Sequence, residues 1–343
     1  PPFRKFSRKI PPVSTEQINM RILYYCPGGG TGHIVRGYSI LRELKKIHEL
    51  FVIASTPFVS ILNNSSISVF KIPGEHENSL DNSIIIKNII DFIKPELIIV
   101  DTFYYGYYGE LLHYLQSKSL KKIFIFRYRQ DKISHPDLSC YDLVIIPEPP
   151  GSWPLLEENH NFIRAGYIVC RKPDELKPAD QALLYLRVSS QGKKIILVMH
   201  SGYGYEGENL FYMASQAVSE LKREDLIVRF ASMKHLINPK LSPCHINYFP
   251  VVELLKPVDI VISGGGYNTY HEISMVGKKK ILTAFDRKID DQSVRISSEK
   301  YIFTDGKSLK ECLYAALEDE SHFLPVPELY NGSSMVAGLI EEF

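Results

Sequence analysis

Two glycine-rich loops, far apart in the chain, carry the residues best suited to chemistry. The first, CPGGGTGH, runs from Cys26 to His33, and the second, SGGGYNT, runs from Ser263 to Thr269. Each loop follows an apolar, strand-like run and leads into helix-like sequence. Glycine lets backbone N–H groups approach an anion closely, and a helix N-terminus adds partial positive charge. One such loop in each half of the chain predicts two lobes with a phosphorylated ligand between them.

The first loop does not match either of the common nucleotide-binding motifs. A dinucleotide fingerprint needs G-x-G-x-x-G, but the sixth residue counted from Gly28 is His33. Gly32 and Gly37 have the spacing of a Walker A loop, but Tyr38 stands where that motif has its lysine. The loop therefore lacks a residue that each of these motifs requires.

Around these loops, strand-like runs alternate with amphipathic helical patterns. In the first half the predicted strands are 21–26, 50–54, 67–72, 96–101, 122–126 and 142–146. The clearest helices there are 33–47 and 106–118. In the second half the predicted strands are 194–199, 226–231, 246–249, 259–263 and 279–283, and the predicted helices lie near 207–222, 268–276 and 291–300. Several strands are apolar throughout, as a parallel sheet covered on both faces requires. The pattern predicts an α/β fold with two Rossmann-like, doubly wound parallel sheets.

The sequence also suggests where the domains begin and end. Residues 1–19 precede Met20 and the first strand, and we treat them as an N-terminal extension. A first domain is expected over 20–170, a proline-punctuated linker over 171–192 and a second domain over 193–322. The segment 323–343 is expected to cross back to the first domain. Ligands bind beyond the carboxyl ends of the strands in such sheets, so both loops should face the cleft.

Composition excludes several classes of protein. The net charge of +1 over 343 residues argues against a nucleic-acid partner. Five cysteines without a C-x-x-C pair argue against a disulfide framework or a zinc ribbon and suit a reducing compartment. The longest apolar runs are of strand length, far short of a membrane span. These features predict a cytoplasmic protein, while lysines, arginines and aromatic residues of the first half leave a peripheral membrane contact open. The oligomeric state is not indicated.

At this point the residues resemble a known family. GGTGH at 29–33 resembles the N-terminal loop of GT-B glycosyltransferases related to the N-acetylglucosaminyltransferase of peptidoglycan synthesis (family 28). The second half resembles the C-terminal domain of that family in the order loop, Glu272, strand, Asp-Gln, and HSGYG at 200–204 is similar to a further glycine loop. The form G-x-G-H-x-x-R around His33 also resembles a nucleotide-sugar hydrolase of sialic-acid-like sugar synthesis and a group of predicted glycosyltransferases that bear GGYNT.

This resemblance implies a nucleotide-sugar donor, most simply UDP-linked, whose diphosphate is held by backbone amides. Neither a metal nor a cofactor is expected, and the metal-binding D-x-D motif does not occur in the sequence. The residues expected near the donor phosphates are Gly30, Thr31, Gly32, Ser201, Gly202, Gly204, Gly265, Gly266, Asn268 and Thr269. Glu272, on the first turn after its loop, would accept hydrogen bonds from the ribose hydroxyls, and Asp291 and Gln292 would contact the sugar. Helix capping is the alternative interpretation for Glu272 and for Asp291.

His33 is the sharpest catalytic candidate, since an imidazole titrates near neutral pH and this one should open the first helix and face the cleft. It could take a proton from an acceptor hydroxyl or stabilise the departing phosphate; capping a helix is the alternative. Asp101 ends a fully apolar strand and could be the base, or orient one, or cap a turn. Arg36 could meet an anion or solvent. Of the aromatic residues after Asp101, Tyr104 and Tyr105 are the candidates for stacking on an acceptor.

The function implied is an inverting, metal-independent glycosyltransferase that transfers a sugar to a hydroxyl acceptor held by the first domain. Two alternatives stay open at this stage: a nucleotide-sugar hydrolase with water as acceptor, and a non-catalytic nucleotide-sugar-binding or partner subunit. An epimerase acting on UDP-N-acetylglucosamine shares the fold. It would be expected to bring more acidic and basic residues to the cleft than the sequence places there.

Overall fold

Two parallel β-sheets dominate the molecule. The computed structural model describes residues 20–343 except 46, 64–65, 74–78, 128–136, 153–160, 190–191, 201–204, 234–241, 288–289, 322–323 and 325–326. The first sheet has the strands β1 (Arg21–Tyr25), β2 (Glu49–Ala54), β3 (Ile67–Lys71), β4 (Leu97–Asp101), β5 (Lys121–Ile125), β6 (Leu143–Ile146) and β7 (Phe162–Arg164) in the order β3-β2-β1-β4-β5-β6-β7. The second has β8 (Lys194–Met199), β9 (Leu226–Ala231), β10 (His245–Ile246), β11 (Ile260–Gly264) and β12 (Lys279–Thr283) in the order β10-β9-β8-β11-β12. All of these pairings are parallel, as the sequence predicted.

Helices cover both sheets. They are α1 (Gly32–Leu41), α2 (Ser79–Ile93), α3 (Leu112–Leu115), α4 (Ala179–Leu186), α5 (Tyr205–Glu220), α6 (Tyr267–Met275), α7 (Gln292–Ile296), α8 (Gly306–Glu318) and α9 (Gly332–Glu341). Central strands are buried on both faces; every residue of β4 is buried, for example. Within the described residues, no helix is both long enough and apolar enough to span a bilayer.

Each sheet packs its own hydrophobic residues, and the chain passes between the two lobes twice. Ala182 and Leu186 of α4 are buried in the core of the second sheet, although the sequence assigned them to the linker 171–192. The last helix, α9, lies against α1 and buries Val336 and Ile340 in the core of the first sheet. The chain therefore passes back to the first lobe after completing the second.

Three predicted helices differ from the structure, and the one predicted near 291–300 ends at Ile296. The helix predicted over 106–118 is wrong: Gly106 and Gly109 have φ values of +89° and +79°, outside the helical region, so only one helical turn forms, at α3. The helix predicted over 33–47 ends at Leu41. The short strand β7 had no counterpart in the prediction.

Candidate active site

A cavity of about 910 Å³ opens between the two sheets. Its walls come from the segments that follow β1, β4 and β5 in the first sheet and β8, β9, β10, β11 and β12 in the second. These segments lie at the carboxyl ends of parallel strands, where both glycine loops were expected. The volume is within the range of small-molecule sites.

Asp101 lies behind the cavity wall and is hydrogen-bonded to His33, Arg36 and Thr102, which line the cavity. It is the last residue of β4 and is fully buried. Arg36 donates to both of its oxygens, from Nε to Oδ2 at 2.9 Å and from Nη2 to Oδ1 at 2.8 Å. The Tyr24 hydroxyl donates to Oδ2 at 2.8 Å, and the Thr102 hydroxyl donates to Oδ1 at 2.7 Å. Burial alone would raise the pKa of Asp101, but Arg36 and His33 hold it well below its usual range.

His33 is the second residue of α1 and lines the cavity, with 18% of its side chain exposed. Its Nδ1 lies 3.1 Å from Asp101 Oδ1. Since an ionised carboxylate only accepts hydrogen bonds, this contact places a proton on Nδ1, and in the neutral ring Nε2 is then the acceptor. Arg36 Nη2 lies 3.3 Å from the same Nδ1, as two donors sharing one carboxylate oxygen would. Gly28 has a φ of +138°, and a Cβ there would be 2.8 Å from His33 Cδ2. Glycine at this position is therefore what makes room for the imidazole.

The rest of the first loop leaves its backbone open to the cavity. Gly30, Thr31 and Gly32 line it, and a Cβ placed on either glycine would meet no atom within 4 Å. Thr31 precedes α1, but its side chain makes no capping hydrogen bond. The start of α1 thus lines the space between the lobes.

The glycines of the second loop have two different reasons to be there. A Cβ on Gly264 would be 2.6 Å from the Phe285 ring, and one on Gly265 would be 2.6 Å from Ile296 Cγ2. These two glycines permit close packing, and Gly265 does not line the cavity. Gly266 does line the cavity and precedes α6 directly. The loop therefore presents to the cavity the N-terminus of a nine-residue helix.

Asn268 and Thr269, in the first turn of α6, also line the cavity. Asn268 Nδ2 donates to Gly32 O at 3.2 Å and so joins the two glycine loops across the cleft. Asn268 Oδ1 is buried, and it has no hydrogen-bond partner in the described part of the chain. A buried acceptor without a partner costs free energy, which a ligand donor at this point would recover.

Glu272 lies on the second turn of α6 rather than the first, so it does not cap the helix. It is 7% exposed and lines the cavity. Oε1 accepts a hydrogen bond from the backbone N–H of Cys170 at 3.2 Å. Burial raises the pKa of Glu272 to about 7, and the Cys170 N–H and Arg171 only partly oppose this. A carboxyl in this state gains from any further donor that a ligand brings.

Of the adjacent acids Asp290 and Asp291, the structure places Asp290 on the cavity wall. Asp291 is the N-cap of α7: its Oδ1 accepts from the Val294 N–H at 3.1 Å and from the Ser293 hydroxyl at 2.5 Å. The capping interpretation therefore describes Asp291, because its side chain is already used by the helix. Asp290 and the buried Gln292 line the cavity instead.

The other predicted positions are distributed as follows. Ser201, Gly202 and Gly204 lie outside the described residues. The two residues before them, Met199 and His200, line the cavity at the end of β8, as do Tyr104 and Tyr105 after β4. Within the described residues, no group of three or more His, Cys, Asp or Glu side chains could hold a metal ion.

Sequence reasoning missed a cluster of charged residues at the centre of the cleft. Arg36 was left undecided between an anion and solvent, but it is buried on Asp101. Arg127 and Tyr267 were not singled out, although both line the cavity. Arg127 follows β5 by two residues, so its place at the carboxyl end of a parallel strand was an available signal.

Comparisons with known proteins agree with this architecture. No family model matches the chain, and no curated protein sequence matches it. Solved structures do match. The glycotransferase of kitacinnamycin has a TM-score of 0.66 at 14% identity, over 94% of this chain and 98% of that one. The spinosyn rhamnosyltransferase SpnG, complexed with thymidine diphosphate, has a TM-score of 0.61 at 14% identity, over 94% and 95%.

A third match is the S. aureus protein MnaA in complex with UDP, with a TM-score of 0.59 at 13% identity, over 94% of this chain and 95% of that one. Each alignment spans nearly the whole of both chains, including both sheets. The chain therefore has the GT-B fold, in which two α/β lobes built on parallel sheets face each other across a cleft.

Proposed function

We propose that the chain is a glycosyltransferase that moves a sugar from a nucleotide diphosphate sugar, most simply a UDP-sugar, to a hydroxyl acceptor. The first lobe (20–170) would bind the acceptor and the second (193–322) the donor. The observation that carries this proposal is the pairing of His33 with Asp101 on one wall of the cleft, opposite Glu272 and the amides of α6 on the other.

His33 is suited to act as the general base. Its Nε2 would take the proton of the acceptor hydroxyl as the acceptor oxygen bonds to the anomeric carbon of the sugar. The bond from that carbon to the diphosphate breaks, and the nucleotide leaves with the electron pair. Asp101 holds the ring through Nδ1 and stabilises the imidazolium that forms. General base catalysis contributes about 10²–10⁴-fold to such reactions. Attack from the face opposite the leaving group inverts the anomeric centre.

The donor would be held mainly by the second lobe. Backbone amides at the start of α6 and in both glycine loops suit a diphosphate without a metal ion. Glu272 would accept the two ribose hydroxyls, and each such charge-assisted bond is worth about 1.5–3 kcal/mol. Gln292 and Asp290 would contact hydroxyls of the sugar. The predicted loop at 201–204 would complete the phosphate site.

A thermal-shift panel of UDP-, GDP-, dTDP- and CDP-sugars tests the donor. A ligand at one hundred times its dissociation constant should stabilise the protein by about 2.7 kcal/mol. The matched variants are His33→Ala and Glu272→Gln. His33→Ala should retain the ligand shift and lose transfer, whereas Glu272→Gln should lose the shift. Retention of biological activity by His33→Ala would favour a non-catalytic subunit, and release of sugar without any acceptor would favour a hydrolase.

A nucleotide-sugar epimerase is the second candidate, and one observation favours it. The sequence argued against it because few charged residues could be placed at the cleft, but Arg36, Arg127, Arg287 and Asp290 line the cavity, and Asp101 is bound to Arg36 behind it. Incubation with UDP-N-acetylglucosamine followed by NMR of the sugar separates the two. A new epimer formed without acceptor would support the epimerase, and unchanged donor that reacts only with an acceptor would support the transferase.

A further inference from the structure

Arg127 of the first lobe reaches across the cleft to the second glycine loop. It follows β5 and lines the cavity, with 12% of its side chain exposed. Its guanidinium carbon lies 3.8 Å from the centre of the Tyr267 ring, the first residue of α6. This is a close cation–π contact. Tyr267 is buried, and its hydroxyl donates to Pro147 O of the first lobe. Arg127 is therefore fixed against the loop that carries Gly266 and Asn268.

Two further arginines surround the same ring. The guanidinium carbons of Arg36 and Arg295 each lie 5.8 Å from the centre of the Tyr267 ring. Arg36 is matched by Asp101, with which it forms two hydrogen bonds. Arg295 donates to both oxygens of Asp290, at 2.5 and 3.2 Å, and to Gly265 O at 2.6 Å. Among these three arginines, Arg36 and Arg295 thus each have a carboxylate at short distance.

Arg127 has longer ion pairs than these two. Its Nη1 lies 3.4 Å from Glu148 Oε1, and its Nη2 lies 3.4 Å from Asp290 Oδ1, an oxygen that Arg295 already contacts. Burial, and after it the charges of Arg295 and Arg36, lower the pKa of Arg127. Burial also raises the pKa of Glu148 to about 7, so at neutral pH this carboxyl supplies only part of a negative charge. Three guanidinium groups therefore surround Tyr267 beside the cavity, and Arg127 is the one whose carboxylate partners lie farthest away.

We propose that Arg127 binds the diphosphate of the donor from the first lobe. The proposal rests on the proposed function, because it takes the diphosphate to lie at the N-terminus of α6. A planar guanidinium presents paired N–H donors that match phosphate oxygens, and in a site shielded from water it stabilises the charge that develops on a leaving diphosphate. Because Arg127 comes from the opposite lobe to the α6 amides, the diphosphate would draw the two lobes together.

The test compares Arg127→Gln with Arg127→Lys and with Arg223→Gln. Arg223→Gln removes the same charge near the amino end of β9, away from the cavity, where Arg223 pairs with Asp225 and Glu318. Binding of UDP, UMP and inorganic pyrophosphate is measured by calorimetry on the full chain, after the melting temperature of each unliganded variant has been recorded. We expect Arg127→Gln to weaken the binding of UDP and pyrophosphate by about ten- to one-hundred-fold and the binding of UMP by less. The affinities of Arg127→Lys should lie between those of the wild type and Arg127→Gln, because lysine keeps the charge but lacks the paired N–H donors of a guanidinium. Arg223→Gln should bind as the wild type does.

The outcomes separate this inference from the proposed function. Equal UDP affinity in the wild type and in folded Arg127→Gln would overturn the role of Arg127 and leave the donor site standing. Unchanged UDP affinity with a raised KM for the acceptor would also overturn it, in favour of an anionic acceptor. A wild-type protein that bound neither UDP nor pyrophosphate would overturn both. If Arg127→Gln unfolds, the Arg127→Lys measurement decides: undiminished UDP and pyrophosphate binding there would overturn the proposal.

Discussion

The two walls of the cleft each bury a carboxylate, but they treat it in opposite ways. Asp101 accepts hydrogen bonds from Arg36, Tyr24, Thr102 and His33, and its pKa is held well below the usual range. Glu272 accepts a single backbone N–H, from Cys170, among its described hydrogen bonds, and burial raises its pKa to about 7. The first carboxylate is stabilised by the protein itself. The second is costly to ionise, and hydrogen-bond donors from a ligand would lower that cost.

The largest effect on stability is expected from Asp101→Asn. This change leaves the Arg36 guanidinium buried without its counter-charge, and removing one partner of such a pair costs about 3–5 kcal/mol. Urea denaturation measures the loss. The double variant with Arg36→Met should be less destabilised than Asp101→Asn alone, because no charge is then left behind. A loss below about 1 kcal/mol in the single variant would mean that Arg36 is not the reason Asp101 stays ionised.

Glu272→Gln should change the stability of the protein in the opposite direction, by raising it. Shifting a buried carboxyl from an ordinary pKa of 4.5 to about 7 costs about 3 kcal/mol at pH 8, where the ionised form must be kept. The amide removes that cost, so the variant should be more stable than the wild type while it binds UDP at least about ten-fold more weakly. Glu253→Gln is the matched control. Glu253 is also buried in the second lobe, but it is paired with Arg171 and Tyr248, so its loss should destabilise.

The two carboxylates should also differ in their dependence on pH. Since the folded-state pKa of Glu272 is raised, the wild type loses stability as the pH rises from about 4.5 through 7. The advantage of Glu272→Gln should therefore shrink toward zero when unfolding is repeated at pH 5. The folded-state pKa of Asp101 is depressed, so its contribution is lost only as the pH falls below about 4. The deficit of Asp101→Asn should stay constant between pH 5 and 8; a deficit that varied as the Glu272 effect does would refute the contrast.

Some of the residues in this comparison could be predicted from the sequence, and others could not. Asp101 was found because it ends an apolar strand, and His33 because it follows the glycine loop after another; strand positions can be predicted from apolar runs. Tyr24 and Thr102 could not be found in this way, because only the fold shows which hydroxyls point at a buried carboxylate. The contact of Arg127 with Tyr267 joins residues 140 positions apart on different lobes, so no local pattern contains it.

Local errors had local causes. The helix predicted over 106–118 does not form at its start, because Gly106 and Gly109 have positive φ values that turn the chain instead. Asp290 and Asp291 are chemically identical in a sequence, and their roles depend on whether the next helix begins one residue earlier or later. Helix boundaries are the least certain part of any such prediction. The acid that caps the helix and the acid that faces the cavity were therefore separable only in the structure.

The smallest effect on stability is expected at Asp291, which caps α7 and does not line the cavity. It tests the distinction between Asp291 and Asp290. Asp291→Ala removes an N-cap and should destabilise the protein by about 0.5–2 kcal/mol, with little change in donor affinity. Asp291→Ser should restore most of the stability, because a serine hydroxyl can also cap a helix. Asp290→Asn is the counterpart on the cavity wall, and it should change the KM for the donor. Loss of donor binding in Asp291→Ala, with stability unchanged, would return this residue to the sugar site, since a cap alone cannot weaken a ligand without weakening the fold.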